Sequence, residues 1–410
     1  MIQLKGNALV GQSGGPTAAI NASLAGVIRG VLACRDAIPK LYGMRNGIEG
    51  FQRGDVVSLL PLFDGEEKLR QLEQTPAAAL GSCRKKLPDP KRDLAFYEDL
   101  VARFREKNIR YFFYVGGNDS MDTVAKLSSY LATVDYEMRV VGIPKTIDND
   151  LADTDHTPGF GSAAKYVAVT LSEIVRDCAV YRVPAVTIVE IMGRDAGWLT
   201  ASAALPGASS GEGVDLIYLP ERPFTFEQFA ADLGAAFKRH PNLVVAISEG
   251  IRFADGHYVG EGAQSGALDA FGHKYLAGAG KVLEAFVKET FGCKVRSFEL
   301  SLPQRCASHL ASDTDLCEAS ELGAAAVAAA VAGKSGVMAA LERKPGDAYG
   351  CEVVFRPVDR IANAIRRVPD EFINEAGNGI TPAGIAYLRP LISGERKIEY
   401  CDGLPIHVII

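Results

Sequence analysis

An apolar run changes into a polar loop along the stretch Val140-Val141-Gly142-Ile143-Pro144-Lys145-Thr146-Ile147-Asp148-Asn149-Asp150. Its first four residues, mostly β-branched, are typical of a buried parallel strand. Pro144 ends that strand, so the charged side chains fall on the loop at its carboxyl end. In open α/β sheets, ligands bind in the crevice outside such strand ends. The loop therefore predicts a site for a phosphate, a metal ion and a transferable proton. The alternative is a solvated turn without a ligand, because Asp, Asn and Thr are common in turns.

The composition predicts a large globular protein that acts on small molecules. The chain has 410 residues, of which 48% are hydrophobic, so two or three domains are expected. Its net charge of -6 argues against a nucleic-acid partner, because such proteins carry a basic stripe. Basic residues beside glycines are therefore expected to bind a small anion.

The cysteine pattern and the hydropathy predict a soluble cytoplasmic protein. The eight cysteines include no C-x-x-C pair, which is typical of reduced thiols. The chain begins at Met1 and leads directly into a strand, so no signal peptide is expected. A membrane span needs about 20 apolar residues, and no uninterrupted run is that long, so no membrane partner is expected.

Glycine-rich loops follow two further predicted strands. Residues 11–17 come after an apolar strand at 8–10 and before a helix that contains Ile20 and Leu24. Bare backbone N–H groups and a helix dipole would face an anion there, although a tight turn without a ligand uses the same residues. Residues 116–120 follow a strand at 111–115, and a helix that contains Val124 and Leu127 is expected to begin just after Ser120. Helix capping is the competing explanation for Asp119 or Ser120.

Between these loops the sequence is less regular. A second strand is expected at 40–43, and the next 40 residues read as irregular. They end in a basic loop at 81–86, where Arg84 offers a bidentate fork for phosphate and a solvated loop is the alternative. Apolar residues at three- and four-residue spacing then predict a helix from Leu94 to Phe104.

A second α/β series begins after residue 161. The pattern predicts a helix at 162–177 and strands at 185–190, 243–248 and 295–301, with an alanine-rich helix at 324–332. Arg194 and Glu249 follow the first two of these strands. Alternating strands and helices of this kind indicate parallel, doubly wound sheets.

With these elements in place, the chain resembles the phosphofructokinase family over most of its length. The residues that carry the resemblance are Ser13-Gly14-Gly15 with Asn21, Gly81-Ser82-Cys83-Arg84, Gly116-Gly117-Asn118-Asp119-Ser120, the loop from Pro144 to Asp150, Val189-Glu190-Ile191-Met192-Gly193-Arg194, Ser248-Glu249-Gly250 and Gln304-Arg305. The resemblance implies two Rossmann-like doubly wound domains that face each other across an active-site cleft. Residues 1–158 with about 304–370 would bind the phosphoryl donor. Residues 159–303 with about 371–410 would bind the sugar phosphate.

The resemblance also implies roles for individual residues. Asp148 matches the family's base, which takes a proton from the 1-hydroxyl of fructose 6-phosphate. Positions that match sugar contacts are Thr146, Ile147, Met192, Gly193, Arg194 and Glu249. Arg296 and Arg305 match arginines that bind the 6-phosphate, and Arg296 would come from a neighbouring subunit, which implies a homodimer or homotetramer. Positions that match the donor phosphates are Gly14, Gly15, Arg84, Gly117 and Ser120.

Two positions distinguish the donors within the family. Relatives that use ATP carry glycine in place of Asp119 and typically in place of Lys145, whereas relatives that use diphosphate carry Asp and Lys. A carboxylate at Asp119 opposes a nucleotide's α-phosphate, and the Lys145 ammonium can neutralise charge on the leaving phosphate. The chain is therefore expected to transfer phosphate from diphosphate to fructose 6-phosphate, with Mg²⁺, in a reversible reaction.

Three departures from the family pattern leave alternatives open. Asn118 stands where relatives have a metal-binding aspartate, so Mg²⁺ would depend on Asn118 with Asp150, on Asp119, or on the diphosphate itself. Leu302 replaces a His or Tyr, and Ala185 replaces a second cross-subunit arginine, so a sedoheptulose phosphate is an additional candidate acceptor. The alternatives are an ATP-dependent phosphofructokinase and a non-catalytic sugar-phosphate sensor.

Overall fold

The computed structural model describes residues 4–261, 278–346, 348–361 and 364–410. Within them the strands are β1 (Asn7–Gln12), β2 (Leu41–Met44), β3 (Val56–Ser58), β4 (Ile109–Gly116), β5 (Arg139–Pro144), β6 (Ala185–Ile191), β7 (Leu216–Tyr218), β8 (Asn242–Ser248), β9 (Lys294–Glu299), β10 (Val337–Arg343), β11 (Cys351–Pro357), β12 (Tyr400–Cys401) and β13 (Leu404–Pro405). The helices are α1 (Ile20–Ala33), α2 (Gly47–Gln52), α3 (Glu66–Gln74), α4 (Leu94–Glu106), α5 (Asn118–Leu131), α6 (Phe160–Ala179), α7 (Trp198–Ala201), α8 (Leu205–Ser210), α9 (Phe226–Phe237), α10 (Ala279–Phe291), α11 (Pro303–Cys306), α12 (Asp313–Val331) and α13 (Pro382–Leu388).

The first sheet has seven strands in the order β11-β10-β5-β4-β1-β2-β3. The five central strands are parallel, and β3 and β11 are antiparallel strands at its two edges. Both faces are buried: Tyr111 and Phe113 of β4 pack with α1 and α12, whereas Phe112 packs with α4 and α5 on the other face. This is the doubly wound arrangement predicted from the alternating strands and helices.

The second sheet has four parallel strands in the order β7-β8-β6-β9. Helix α6 covers one face, and α9 and α10 cover the other. Strand β9 is an edge strand whose residues are only partly buried or exposed. The carboxyl ends of β6 and β8 carry the loops that contain Arg194 and Glu249.

Most predicted elements are present, but two predictions are wrong. Residues 44–81 contain α2, β3 and α3, although we expected irregular structure there. Helix α3 is rich in charged residues and buries only a narrow stripe, with Leu69 and Leu72 as its apolar part, so its periodicity is weak. Helix α5 begins at Asn118 rather than after Ser120, so the polar residues of this loop form the first helical turn.

The chain crosses between the two sheets more than once. Strands β10 and β11 return to the first sheet, and Tyr387 and Leu388 of α13 pack with the core beside the second sheet. The last residues then return to the first sheet: the side chain of Gln74 donates to Ile406 O at 2.8 Å. Val408 and Ile410 also pack against the first core, although we expected 371–410 to belong to the other domain. The remaining domain boundaries stay a prediction.

None of the described helices combines the length and the apolar character that a membrane crossing needs. All eight cysteines lie in described parts of the chain, and each is a free thiol there.

Helices α1 and α12 approach each other through glycines. A Cβ atom added at Gly26 would lie 2.0 Å from Ser320 O, and one added at Gly323 would lie 2.2 Å from Ser23 O. Real Cβ atoms do not approach backbone oxygens this closely, so the helices would have to separate. The contact therefore requires glycine at both positions.

We predict that Gly26→Ala lowers the free energy of unfolding by about 1–3 kcal/mol, the usual cost of overpacking a core. Gly234→Ala is the matched control, because Gly234 lies in α9 with nothing within 4 Å of the added Cβ. That control should be neutral or slightly stabilising. Urea denaturation of both variants tests the prediction, and equal stabilities would contradict it.

Candidate active site

A cleft of about 570 Å³ lies at the carboxyl ends of β1, β4 and β5 and opposite the ends of β6 and β8. It brings together most of the residues singled out from the sequence. Those that line it are Gly14, Gly15, Arg84, Gly117, Asn118, Asp119, Ser120, Lys145, Thr146, Ile147, Asp148, Asp150, Met192, Arg194, Glu249 and Arg305.

Two predicted site residues do not line the cleft. Gly193 acts through its backbone: its N–H donates to Glu249 Oε1 at 3.2 Å. Its φ of 134° lies in a region that favours glycine. Arg296 is exposed on the edge strand β9, level with Thr187 of β6, and so lies outside the cleft of its own chain.

The cleft also contains residues that the sequence reasoning missed. Thr17 and Asp195 lie in loops already assigned to strand ends, so the strand-end rule alone would have found them. Thr123 follows Asp119 by one helical turn, and its hydroxyl donates to Asp119 O at 3.2 Å. Ile365 comes from the segment after β11, and no local pattern in the sequence points to it.

The glycine loop after β1 is held open by the basic loop at 81–86. Gly14 N–H donates to Cys83 O at 3.0 Å, and the Ser82 hydroxyl donates to Gly14 O at 2.6 Å. Gly14 has a φ of 77°. The two bonds place bare backbone and the Arg84 side chain along the same wall, as expected for an anion site.

Lys145 is a buried ammonium at the base of the cleft. Its side chain donates to Gly15 O at 2.7 Å, and its residue is only 3% exposed. Burial lowers its pKa to about 8. The positive charges of Arg84 and Arg305 lower this pKa further, whereas the negative charge of Asp148 raises it. The pKa of Arg305 is likewise lowered, first by burial and then by Arg84. Three cations that repel one another in one cleft favour an anion between them.

Asp148 and Asp150 form a half-buried pair of carboxylates on the loop after β5. The Thr146 hydroxyl donates to Asp148 Oδ2 at 3.1 Å and accepts from Asp148 N–H at 3.1 Å. Burial raises the pKa of Asp148. Burial, with the charge of Asp148 added, raises the pKa of Asp150 to about 7. The pair is therefore suited to accept a proton or a cation.

The opposite wall carries a third carboxylate and an arginine cluster. Burial raises the pKa of Glu249 to about 8. Arg194 contacts Asp195 at 3.1 Å, and Arg252 contacts the same carboxylate at 3.5 Å. A polar ligand with hydroxyl groups and a negative charge would find partners on this wall.

The residues present fit a divalent metal ion that shares its ligands with a bound anion. The side-chain amide of Asn118 donates to Ala364 O at 3.1 Å, while its buried Oδ1 has no hydrogen-bond partner in the described part of the chain. Asp119 Oδ1 pairs with Lys86 Nζ at 3.0 Å. Oxygen donors of this kind suit Mg²⁺, which usually keeps other ligands from water or phosphate. Within the described ranges, the one group of three close acidic, His or Cys side chains with metal-binding geometry lies elsewhere, at Asp155, His156 and Cys351.

Comparison with known proteins agrees with this geometry. The family model described as Phosphofructokinase matches residues 7–330. The chain is 42% identical over 406 residues to the pyrophosphate–fructose 6-phosphate 1-phosphotransferase of Xanthomonas campestris pv. campestris (strain B100), covering 98% of this chain and 96% of that protein. It is 40% identical over 407 residues to the protein of the same name from Methylococcus capsulatus (strain ATCC 33009 / NCIMB 11132 / Bath), with 98% and 96% covered.

A solved structure is also similar over the whole chain. It is the pyrophosphate-dependent phosphofructokinase from Nitrosospira multiformis, at 37% identity and a TM-score of 0.88, with 98% of this chain and 96% of that chain covered.

The buried ammonium of Lys145 generates a stability prediction. Its pKa falls from an ordinary value of 10.5 to about 8 on folding, so between these values the unfolded chain binds more protons than the folded one. The contribution of Lys145 to stability therefore rises with pH across this window, by about 3 kcal/mol. We predict that the free energy of unfolding of the wild type, minus that of Lys145→Met, increases as the pH rises from 8 to 10.5.

Denaturant titrations at several pH values measure this shift. The control is Lys281→Met, because the Lys281 side chain is 65% exposed. The difference in the free energy of unfolding between this variant and the wild type should not change over the same pH range. A wild-type advantage that stays constant with pH, or shrinks as pH rises, would contradict the burial argument.

Proposed function

The chain belongs to the phosphofructokinase family, and we propose that its cleft transfers a phosphoryl group from diphosphate to the 1-hydroxyl of fructose 6-phosphate. The products are fructose 1,6-bisphosphate and phosphate, as in glycolysis and gluconeogenesis. The observation that carries the proposal is the half-buried Asp148 carboxylate in one cleft with the cations Lys145, Arg84 and Arg305. Diphosphate as donor releases less free energy than ATP, so the reaction is expected to run in both directions.

Asp148 acts as the general base. Its carboxylate lines the cleft and has a raised pKa, and it takes the proton from the sugar's 1-hydroxyl as that oxygen bonds to the transferred phosphorus. The bond from phosphorus to the bridging oxygen breaks, and its electron pair leaves with the phosphate. Lys145 stabilises the negative charge that develops on this leaving group, because it is fixed beside the glycine loop by its bond to Gly15 O.

The donor side is selective because of Asp119. Its carboxylate lines the cleft at the first turn of α5 and contacts Lys86. Added bulk and negative charge there oppose a nucleotide's α-phosphate, which diphosphate lacks. The backbone of Gly14, Gly15 and Gly117, with Ser120 and Arg84, forms the donor-phosphate site.

The acceptor side recognises the sugar phosphate. Thr146, Ile147, Met192, Arg194 and Glu249 contact the sugar, and the backbone of Gly193 orients the Glu249 carboxylate. Arg305 binds the 6-phosphate, since its guanidinium lines the cleft near the other cations. A charge-assisted contact of this kind contributes about 1.5–3 kcal/mol.

Asn118 and Asp150 hold the metal ion, which we propose to be Mg²⁺. The buried Asn118 Oδ1 and the Asp150 carboxylate, whose pKa is raised to about 7, are the oxygen donors that fit. When bound, such an ion would supply positive charge that offsets the negative charge of the donor phosphates. The experiment that tests the function compares fructose 1,6-bisphosphate formation with diphosphate and with ATP, each with Mg²⁺ and with excess EDTA. Turnover only with ATP, or turnover that EDTA does not affect, would contradict the proposal.

We predict that Asp148→Asn lowers kcat by about 10²–10⁴, the usual cost of removing a general base, and leaves the KM for fructose 6-phosphate nearly unchanged. Asp153→Asn is the control, because Asp153 is exposed and lies three residues beyond the catalytic pair, outside the cleft. Steady-state kinetics of both variants decide the matter. An Asp148→Asn enzyme that keeps more than a tenth of wild-type kcat would rule out the base assignment.

We predict that Asp119→Gly allows ATP to bind and lowers turnover with diphosphate. Asp119→Asn keeps the bulk and removes the charge, so comparing the two variants separates the steric effect from the electrostatic effect.

We predict that Lys145→Met lowers kcat with diphosphate by about 10²–10³ and changes the KM for diphosphate far less, because the charge of Lys145 acts in the transition state. Kinetics with both donors measure these effects. Continued exclusion of ATP by Asp119→Gly would show that this position does not select the donor.

The functional unit is at least a homodimer. Arg296 is exposed on the edge strand β9 and lies outside its own chain's cleft, which fits a residue that completes a neighbour's 6-phosphate site. We predict that Arg296→Ala raises the KM for fructose 6-phosphate by about 10-fold or more. Lys294→Ala, on the same exposed strand, should leave it unchanged. Sedimentation at assay concentration is the complementary measurement, and a fully active monomer would contradict the assignment.

A further inference from the structure

Asn149 stands between the two catalytic-loop carboxylates but points away from the cleft. It is fully buried and has a φ of 53°, a left-handed conformation that asparagine adopts more readily than most residues. Its Oδ1 accepts from Thr157 N–H at 3.0 Å, and its Nδ2 donates to the Tyr387 hydroxyl at 3.2 Å. The side chain of Asn149 therefore holds the backbone from which Asp148 and Asp150 project.

The Tyr387 hydroxyl has its full set of hydrogen bonds. It donates to Asp155 O at 2.7 Å and accepts from Arg366 Nη2 at 2.8 Å as well as from Asn149. A phenol has one donor and two acceptor positions, and all three are used. A hydroxyl with this set of bonds has one preferred position, and a phenylalanine ring would leave the buried Asn149 amide without its acceptor.

Two arginines lie near the ring of Tyr387. The guanidinium carbon of Arg343 lies 4.5 Å from the ring centroid, and that of Arg366 lies 5.9 Å away. Arg343 also pairs with Asp155 at 3.0 Å.

Behind this pair, His156 contacts Asp155 at 2.8 Å and Glu318 of α12 at 2.7 Å. The hydroxyl is therefore anchored to a buried ion-pair network rather than to a mobile surface.

The bond between Tyr387 and Asn149 connects the two sheets. Asn149 follows β5 of the first sheet, whereas Tyr387 lies on α13, which packs with the core of the second. From this geometry we propose that Tyr387 is a positioning residue for the reaction, and that its hydroxyl holds the Asp148 and Asp150 carboxylates in place through Asn149. The inference rests on the proposed function, because Asp148 must act in turnover for its position to matter.

The test removes this link from each end. Tyr387→Phe deletes only the hydroxyl, and Asn149→Gly deletes the side-chain bonds while tolerating the left-handed backbone. Each variant is expected to lower kcat by about 10-fold or more, since small misplacements of reacting groups are costly, with KM values within about 3-fold of the wild type. The double variant should be no slower than the slower single variant, because both remove the same link.

The control is Tyr136→Phe. Tyr136 is a buried tyrosine near the amino end of β4, and its hydroxyl donates to Phe104 O at 3.0 Å, far from the catalytic loop. The Tyr136→Phe enzyme should be less stable than the wild type but keep the wild-type kcat. A Tyr387→Phe enzyme within 2-fold of wild-type kcat, or effects of the two variants that multiply, would overturn the inference. If Tyr387→Phe does not fold, an Asn149→Gly enzyme with wild-type kcat overturns it equally.

Rates are compared with whichever donor the wild type uses, diphosphate or ATP. A wild type that turns over only with ATP therefore contradicts the donor assignment while the role of Tyr387 is still measured. Wild-type turnover with diphosphate and an unaffected Tyr387→Phe enzyme contradicts the positioning role alone.

Discussion

The burial of one ammonium group links the fold to its chemistry. Lys145 leaves the end of β5 and donates to Gly15 O in the loop after β1, so it joins two strand-end loops across β4. Removing a charge from water is costly unless opposite charge or hydrogen bonds compensate for it. Asp148 supplies opposite charge, but Arg84 and Arg305 act against it. The cleft is therefore a strained electrostatic environment that a bound anion would relieve, and its stability and its ligand are set by the same few groups.

The sequence predicted the parts of the site that follow local rules. Residues 111–115 of β4 form a continuous apolar run, and the polar residues after the strand fall at its end, so both the element and a role in ligand binding could be predicted. Helix α3 was missed because it buries few apolar residues. Ile365 and Tyr387 reach the catalytic loop from segments more than 200 residues away, and no local pattern encodes such contacts. Arg296 was recognised only through the family resemblance, which also implied that it lies outside its own chain's cleft, and it is exposed on β9.

The acidic groups of the cleft differ in environment, and this difference separates their roles. Asp148, Asp150 and Glu249 are partly buried, and the loss of contact with water raises the pKa of each. Asp119 is partly exposed and pairs with Lys86 at the first turn of α5. A buried carboxylate is suited to exchange a proton, whereas a paired carboxylate near the surface is suited to repel a competing anion. The same type of side chain is therefore suited to both roles that we propose in this cleft, a general base and a group that selects the donor.

The return of β10 to the first sheet has a consequence for how the chain is made. Strand β10 pairs beside β5, with Val337 opposite Val141, so the sheet is complete only after nearly 200 further residues have been added. The second sheet, by contrast, is formed from one continuous segment that ends at Glu299. During vectorial synthesis on the ribosome, the second sheet has all its strands before the first, while β5 still exposes an unpaired edge. The nascent chain therefore carries an unpaired strand edge, which favours aggregation, in the half that begins first and finishes last.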